Sequence, residues 1–291
     1  MKRGKKLIVL LAAVCILGLC LFIVGVAYSR QIQVTLREVP LSGLSDNVQI
    51  VLLSDLHETE FGSDYCDLIN LVKDQKPDVI LLSGDMISRT AVEQDIHRVC
   101  LLIAELAGIA PVYQSLGNHE TDYIEEHGNG LLEAYTAAGS ILLEGEYIDL
   151  AVNGSVFRLG GMSKLAYRDG SNQFWPGVEE FLTDYCDTDL PTVLLSHRPE
   201  AFSFKDACRE WDVNLILSGH THGGLVRLPV VGGLIAPIQG FFPKVDYGEF
   251  VFHNSKMIVT SGLAGYQFLP RVYNRPEICV ITLVPENTAE R

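Results

Sequence analysis

VQIVLLSDLH (48–57) decides the fold. Apart from Gln49, its first six residues are apolar, and a short apolar run closed by turn-formers reads as a strand buried on both faces. The closing residues, Ser54-Asp55-Leu56-His57, set a carboxylate and an imidazole just past the strand's carboxyl end. The same pattern recurs in DVILLSGD (78–85), PVYQSLGNH (111–119), TVLLSH (192–197) and VNLILSGH (213–220). Between these runs, segments near 64–75, 92–107, 129–138 and 199–210 have helical spacing. In the second of them Ile96, Val99, Leu102, Ile103 and Leu106 share one face. Such alternation predicts a sheet with parallel strands covered by helices. Further on, runs at 225–228, 249–253, 257–260 and 278–284 follow one another without intervening helices, and are expected to build a second sheet packed on the first. There is no internal repeat and no low-complexity stretch. One soluble domain over 46–291 is expected, preceded by a linker at 29–45 with a possible first strand.

The composition narrows the class. Of 291 residues, 48% are hydrophobic and 20% charged, which excludes a disordered chain. Five of the 22 basic residues (Lys2, Arg3, Lys5, Lys6, Arg30) fall in the first 30 positions, where there is no acid. The rest of the chain sets 17 basic against 36 acidic side chains, a formal net of −19. A body that acidic repels polyanions, so no nucleic-acid polymer is expected as partner. Seven Cys are too sparse for a disulfide scaffold. Cys66, Cys100, Cys186, Cys208 and Cys279 read as isolated core residues.

Residues 7–28, LIVLLAAVCILGLCLFIVGVAY, carry no charge. About 20 apolar residues in a helix span a hydrocarbon core of ~30 Å, whereas signal-peptide apolar regions run to ~7–15. The stretch is read as an uncleaved transmembrane anchor following a basic segment at 1–6. The positive-inside rule keeps that segment cytoplasmic and sends the domain across the membrane, so a single-pass protein with an extracytoplasmic domain is expected.

The chemistry lies at the strand ends. Five of the eight His (His57, His119, His197, His220 and His222) directly follow a predicted strand, as do Asp55, Asp85 and Asn118. Loops leaving the carboxyl ends of strands gather along one edge of an α/β sheet, where ligands bind. Asp, Asn and His on such an edge form a hard-to-intermediate ligand set for divalent ions, with no thiol among them. Singly these motifs are ordinary turns and caps; their joint occurrence at five strand ends points to a metal site. His97, His127 and His253 lie outside the motifs.

The order D-x-H, GD, GNH[E], H, GHTH resembles the calcineurin-like metallophosphoesterases over residues 46–284. It looks closest to the membrane-associated bacterial branch that includes the UDP-2,3-diacylglucosamine pyrophosphatase-like proteins. GHTHGGLVRLP (219–229), FFPK (241–244) and VTSGLAGYQFLPRVYNRPEI (259–278) add to the likeness. The resemblance implies an α/β fold, a four-layer α/β-β/α sandwich, with two divalent ions per chain (manganese, iron or zinc) at its edge. It assigns Asp55, His57 and His222 to one ion and Asn118, His197 and His220 to the other, with Asp85 bridging. It also makes His119 the catalytic group that protonates or stabilises the leaving oxygen. Two ions ~3.5–4 Å apart can share a bridging hydroxide and clamp phosphoryl oxygens. Serine hydroxyls or backbone donors beside Asp55 and Asp85 could orient the carboxylates. Leu225, Glu120 and Gly160-Gly161-Met162-Ser163 depart from residues common in that branch.

The expected function is a membrane-anchored phosphoesterase acting on a phosphodiester or pyrophosphate bond, with a lipid-linked or envelope compound as candidate substrate. The alternatives are a phosphomonoesterase or protein phosphatase with the same site, and a catalytically silent scaffold, which predicts missing ligands. Arg227, Arg271 and Arg275 are candidates for pairing a substrate phosphate, or else anchor loops.

Overall fold

A computed structural model of the chain describes residues 2–163, 175–204, 207–265 and 269–286. The chain begins with α1 (Lys2–Tyr28), then β1 (Gln33–Leu41), β2 (Val48–Leu53), α2 (Cys66–Asp74), β3 (Val79–Leu82), α3 (Glu93–Ala107) and β4 (Val112–Gln114). Next come α4 (Asn118–His127), α5 (Gly130–Ala137), β5 (Ser140–Leu142), β6 (Glu146–Val152), β7 (Ser155–Met162), α6 (Val178–Cys186), β8 (Thr192–Ser196), α7 (Glu200–Ser203) and β9 (Leu215–Ser218). Two small hairpins follow, β10 (Arg227–Leu228) with β11 (Gly232–Gly233) and β12 (Ile235–Ala236) with β13 (Gly240–Phe241). Then come β14 (Gly248–Phe252), β15 (Ser255–Val259) and β16 (Glu277–Pro285).

Two six-stranded sheets result, ordered β1-β16-β2-β3-β4-β5 and β14-β15-β9-β8-β7-β6. Strands β2 to β5 run parallel in the first, and β7, β8, β9 and β15 in the second. The five motif-bearing strands therefore do not share one sheet; β2, β3 and β4 lie in the first, β8 and β9 in the second. Nor do the C-terminal strands form a sheet of their own. β14 and β15 extend the second sheet, β16 inserts between β1 and β2 of the first, and the run at 225–228 shrinks to the two residues of β10. The run lengths give no information on which sheet a strand joins, because a strand buried on both faces looks the same in either.

The burial pattern explains the near-continuous apolar runs. Along β2, Val51 and Leu53 pack with helices α2 and α3, while Val48, Ile50 and Leu52 face the other sheet. Along β9, Leu215 and Leu217 face the inter-sheet layer and Ile216 packs toward the helical side of its own sheet. Each such fully buried aliphatic side chain contributes about 1.5–3 kcal/mol. Helix, sheet, sheet and helix thus stack in four layers around three apolar clusters. The expected face of α3 is the one buried, with Val99, Leu102, Ile103 and Leu106 at its centre and Ile96 at its margin. The fourth expected helical segment resolves into α7 and a turn of 3-10 helix at Ala207–Arg209; residues 205–206 lie outside the described residues, as do 266–268 of the C-terminal signature.

None of the seven cysteines forms a disulfide. Of the five expected in the core, Cys208 and Cys279 are buried, Cys100 and Cys186 are half-buried, and Cys66 is exposed. Cys66 opens α2 at the surface, which is a correction to its reading as a core residue. Helix α1 carries a 23-residue stretch, Lys6–Tyr28, long and apolar enough to cross a membrane, and none of its most apolar window is buried against the domain.

Candidate metal centre

The carboxyl ends of β2, β3, β8 and β9 deliver their motifs to one place. The ligand-type atoms of Asp55, His57 and His222 lie within 4.8 Å of one another, as do those of Asp85, His197 and His220, and those of His57, Asp85 and His119. Asp85 joins the groups: its Oδ2 is 3.0 Å from His197 Nε2, 3.8 Å from His57 Nε2 and 4.0 Å from His119 Nε2. Asn118 opens α4 directly before His119.

Sharp turns bring these side chains round. Asp55, His57, Asp85, His220 and His222 all have φ between 42° and 67°. Asp, Asn and His tolerate this left-handed region better than most residues, and strain kept at a cluster of polar side chains is a mark of function. Two glycines permit the crowding. Gly84, at φ 95°, has no room for a Cβ against the backbone of Gly117. At Gly262, with φ 66°, a Cβ would sit 2.7 Å from the Cβ of Asp55.

Backbone donors orient the carboxylates. The N–H of His220 donates to both Asp55 oxygens at 3.0 and 3.1 Å, and the N–H of His119 to Asp85 Oδ1 at 2.9 Å. The serine hydroxyls anticipated for this task are elsewhere, since Ser54 Oγ donates to the Gly84 carbonyl at 3.4 Å. Carbonyls orient the imidazoles. His197 Nδ1 lies 2.7 Å from Ser83 O and His222 Nδ1 lies 3.2 Å from Ala264 O, which turns each Nε2 toward the cluster. His119 is arranged the opposite way. Its Nδ1 accepts the Arg89 N–H at 3.0 Å, so the neutral ring carries its proton on Nε2.

The donor set fits divalent cations. Among the described residues, Asn118 Oδ1, His57 Nε2 and His220 Nε2 are buried with no hydrogen-bond partner. A buried polar atom left unpaired is costly, and three at one locus mark a place for a ligand. Burial, only partly offset by Asp85, pushes His57 down to about 3. It pushes His220 well below the usual range and lowers His222, so these rings are neutral as ligation requires. At His197 burial also lowers, but the charge and hydrogen bond of Asp85 outweigh it and raise the ring to about 9. Asp85 is correspondingly held well below the usual carboxylate range by His197, against its own burial. A cation at this group would displace the His197 proton.

Three residues that brace the site carry no ligand motif. Glu120 is fully buried and accepts the N–H groups of Asp85, Met86 and Gly117 at 2.8, 2.6 and 2.9 Å. Burial, then the charge of Asp85, push its carboxyl up to about 7. Its signal was present, because Gly117-x-x-Glu120 has capping-box spacing. Asn274 Nδ2 donates to the carbonyls of His222 and Leu225 at 2.6 and 3.2 Å. Arg271, considered from sequence a phosphate ligand or a loop anchor, is buried and donates to the carbonyls of Ser261 and Ala264. Arg227 bonds Gly223 O and Asp246, and Arg275 bonds the carbonyls of Gln31 and Ile32. All three arginines are thus engaged in holding loops.

A four-layer sandwich whose strand-end loops gather Asp, Asn and His without a thiol defines a class, the metal-dependent phosphoester hydrolases. The chain belongs to the calcineurin-like phosphoesterase family, whose model matches residues 48–224. That family uses a dinuclear divalent metal site. The chain is 29% identical to phosphodiesterase YaeI of Escherichia coli K12 over 81% of its own length and 82% of that protein. It is 30% identical to the uncharacterized metallophosphoesterase YkuE of Bacillus subtilis 168, covering 83% and 81%. It is 29% identical to a zebrafish (Danio rerio) transmembrane protein with metallophosphoesterase domain, covering 84% of this chain and 56% of that one.

Proposed function

We propose that the chain is a membrane-anchored phosphoesterase that hydrolyses a phosphodiester or pyrophosphate bond. In this reading Asp55, His57 and His222 hold one divalent ion and Asn118, His197 and His220 the other, with Asp85 shared. The observation that carries it is the position of Asp85, whose Oδ2 is 3.0 Å from one histidine group and 3.8 Å from the other. The ion pair, when bound, lowers the pKa of the attacking water and draws charge from the phosphoryl oxygens. Manganese, iron and zinc all suit the donors.

The remaining work falls to the chain. His119 presents Nε2–H to the cluster and is suited to stabilise the departing oxygen by a hydrogen bond, because the Arg89 N–H fixes that tautomer. The backbone N–H groups of His119 and His220 keep the two carboxylates from rotating. Helix α1 anchors the domain, with the basic residues at 1–6 on the cytoplasmic side and the domain outside. Protease added to intact cells should then digest the domain; full protection would reverse the orientation.

Two chromogenic substrates test the chemistry. Purified full-length protein stripped by chelator should be inactive, and added manganese should restore cleavage of bis-p-nitrophenyl phosphate in preference to the monoester p-nitrophenyl phosphate. A chelator-stripped protein with unchanged rates overturns the metal reading, and a preference for the monoester overturns the bond type.

A further inference from the structure

The hairpins between the His220–His222 loop and β14 carry apolar side chains where a protein in water would carry polar ones. Val230 is fully exposed at the tip of β10–β11, and Phe241 is 70% exposed. Leu228, Val231, Ile238 and Phe242 are exposed beside them. Val230, Ile238 and Phe242 also have φ of 70°, 61° and 56°. Bulky and β-branched residues rarely adopt this region, and Gly or Asn would fill such turns at less cost. Backbone strain combined with apolar exposure has no basis in folding alone. Lys244, exposed two residues after Phe242, completes an aromatic-plus-basic composition typical of a membrane interface.

The register of the sheets sets where these hairpins sit relative to α1. β1 begins at Gln33, paired with Glu277, and Cys279 of the same strand β16 pairs with Leu52 near the end of β2. Helix α1 therefore joins the domain at the sheet edge where β2 delivers Asp55. The last turns of α1 are fastened there. Tyr273 OH donates to Leu21 O at 2.9 Å, its N–H to Gly25 O at 3.1 Å, and the Asn274 N–H to Ser29 Oγ at 2.9 Å. Gly25 has no side chain because Val272 and Tyr273 occupy that space. Leu21 precedes Tyr28 by seven residues, a rise of roughly 10 Å. Tyr273 thus reaches well inside the end of the apolar stretch, at the depth where interfacial tyrosines lie. The same segment holds the hairpins, since Val272 bridges Val226 and accepts the N–H of Arg227 at 2.9 Å.

We propose that the hairpin face spanning residues 226–242 is a second membrane contact, seated in the interfacial layer of the bilayer that α1 crosses. This rests on the reading of α1 as a spanning anchor. Its consequence for the site is direct, because the loop bearing His220 and His222 runs straight into β10 and lies at the same edge. The cluster is then held beside the headgroup layer, where a phosphoester of a bilayer component is presented to it.

Tryptophan quenching in proteoliposomes tests the proposal on the full-length chain. Lipids brominated near the headgroup end of the acyl chain quench indole at interfacial depth. Emission is compared with the parent, which contributes Trp175 and Trp211 throughout. The emission added by V231W and by F242W is expected to fall in brominated lipid, as is that added by F22W within α1. The emission added by V156W, at the amino end of β7 and roughly 20 Å of strand from the site, is expected to remain. If F22W is quenched while both V231W and F242W behave as V156W does, the hairpin contact is wrong and the anchor stands. If F22W is not quenched, the anchor fails and the hairpin proposal falls with it.

Discussion

The two sides of the candidate metal centre are braced by opposite means. On the side of Asn118 and His119, one buried carboxylate gathers backbone donors, with Glu120 accepting N–H groups from the loop after β3 and from the turn that opens α4. On the side of His222, buried donors gather carbonyls. Arg271 holds Ser261 O and Ala264 O, and Asn274 holds His222 O and Leu225 O. Burial pushes the charge of each brace toward neutrality, raising Glu120 to about 7 and lowering Arg271 to about 10. The difference teaches that the ligand groups are fixed independently. One depends on a residue beside its own motif, the other on a segment some 50 positions further along the chain.

The largest effect should come from the residue common to both sides. D85A removes the carboxylate that lies beside both histidine groups, so bound metal and turnover should both fall by more than the ~10–100-fold that loss of an outer partner causes. Metal content by mass spectrometry, paired with diester hydrolysis, checks this; a variant that retains two equivalents breaks the assignment of Asp85. H119A separates binding from chemistry. Metal content should hold while turnover drops about 10²–10³-fold, the range for a lost donor to developing negative charge. E120Q comes next, with about 10–100-fold weaker binding of the metal equivalent assigned to Asn118, His197 and His220, because Glu120 holds the Gly117 N–H directly before Asn118, and a smaller change in the other. Equal weakening of both would erase the distinction between the two sides.

How much of this was legible follows from the same distinction. The side chains that gather at the site were readable because each sits directly after a strand whose apolar run marks its own end, as Leu53 does before Ser54-Asp55. The helix faces were readable too, since α3 shows its period within fifteen residues. Sheet membership was not. β8 and β2 are both buried on two faces, and nothing in TVLLS or VQIVLL records which neighbours they pair with. Glu120 stood in plain view as a capping residue yet read only as a departure from a family habit. Arg271 was legible only as a phosphate ligand or a loop anchor with no partner named, and Asn274 not at all, because a side chain that binds carbonyls carries no local pattern, and its partners are set by the return of the chain along β16.

The smallest expected effect gives the closest test of independence. N274A removes two hydrogen bonds to carbonyls of the His222 loop, each worth about 0.5–1.5 kcal/mol. His222 keeps Ala264 O as its Nδ1 partner, so a loss of only a few-fold in affinity is expected at the metal equivalent beside Asp55. Arg271 acts on the same residue at its imidazole, through the Ala264 carbonyl that both bond. Residues that share a partner are not additive, so N274A and R271M together should deviate from the sum of the single losses by more than about 0.5 kcal/mol. N274A and E120Q touch different loops with no common partner, and their losses should add within that margin. Metal titrations of the three single and two double variants decide it. Coupling of the second pair as strong as that of the first would mean that the two braces answer to one another across the ions, and the centre would have to be treated as a single unit.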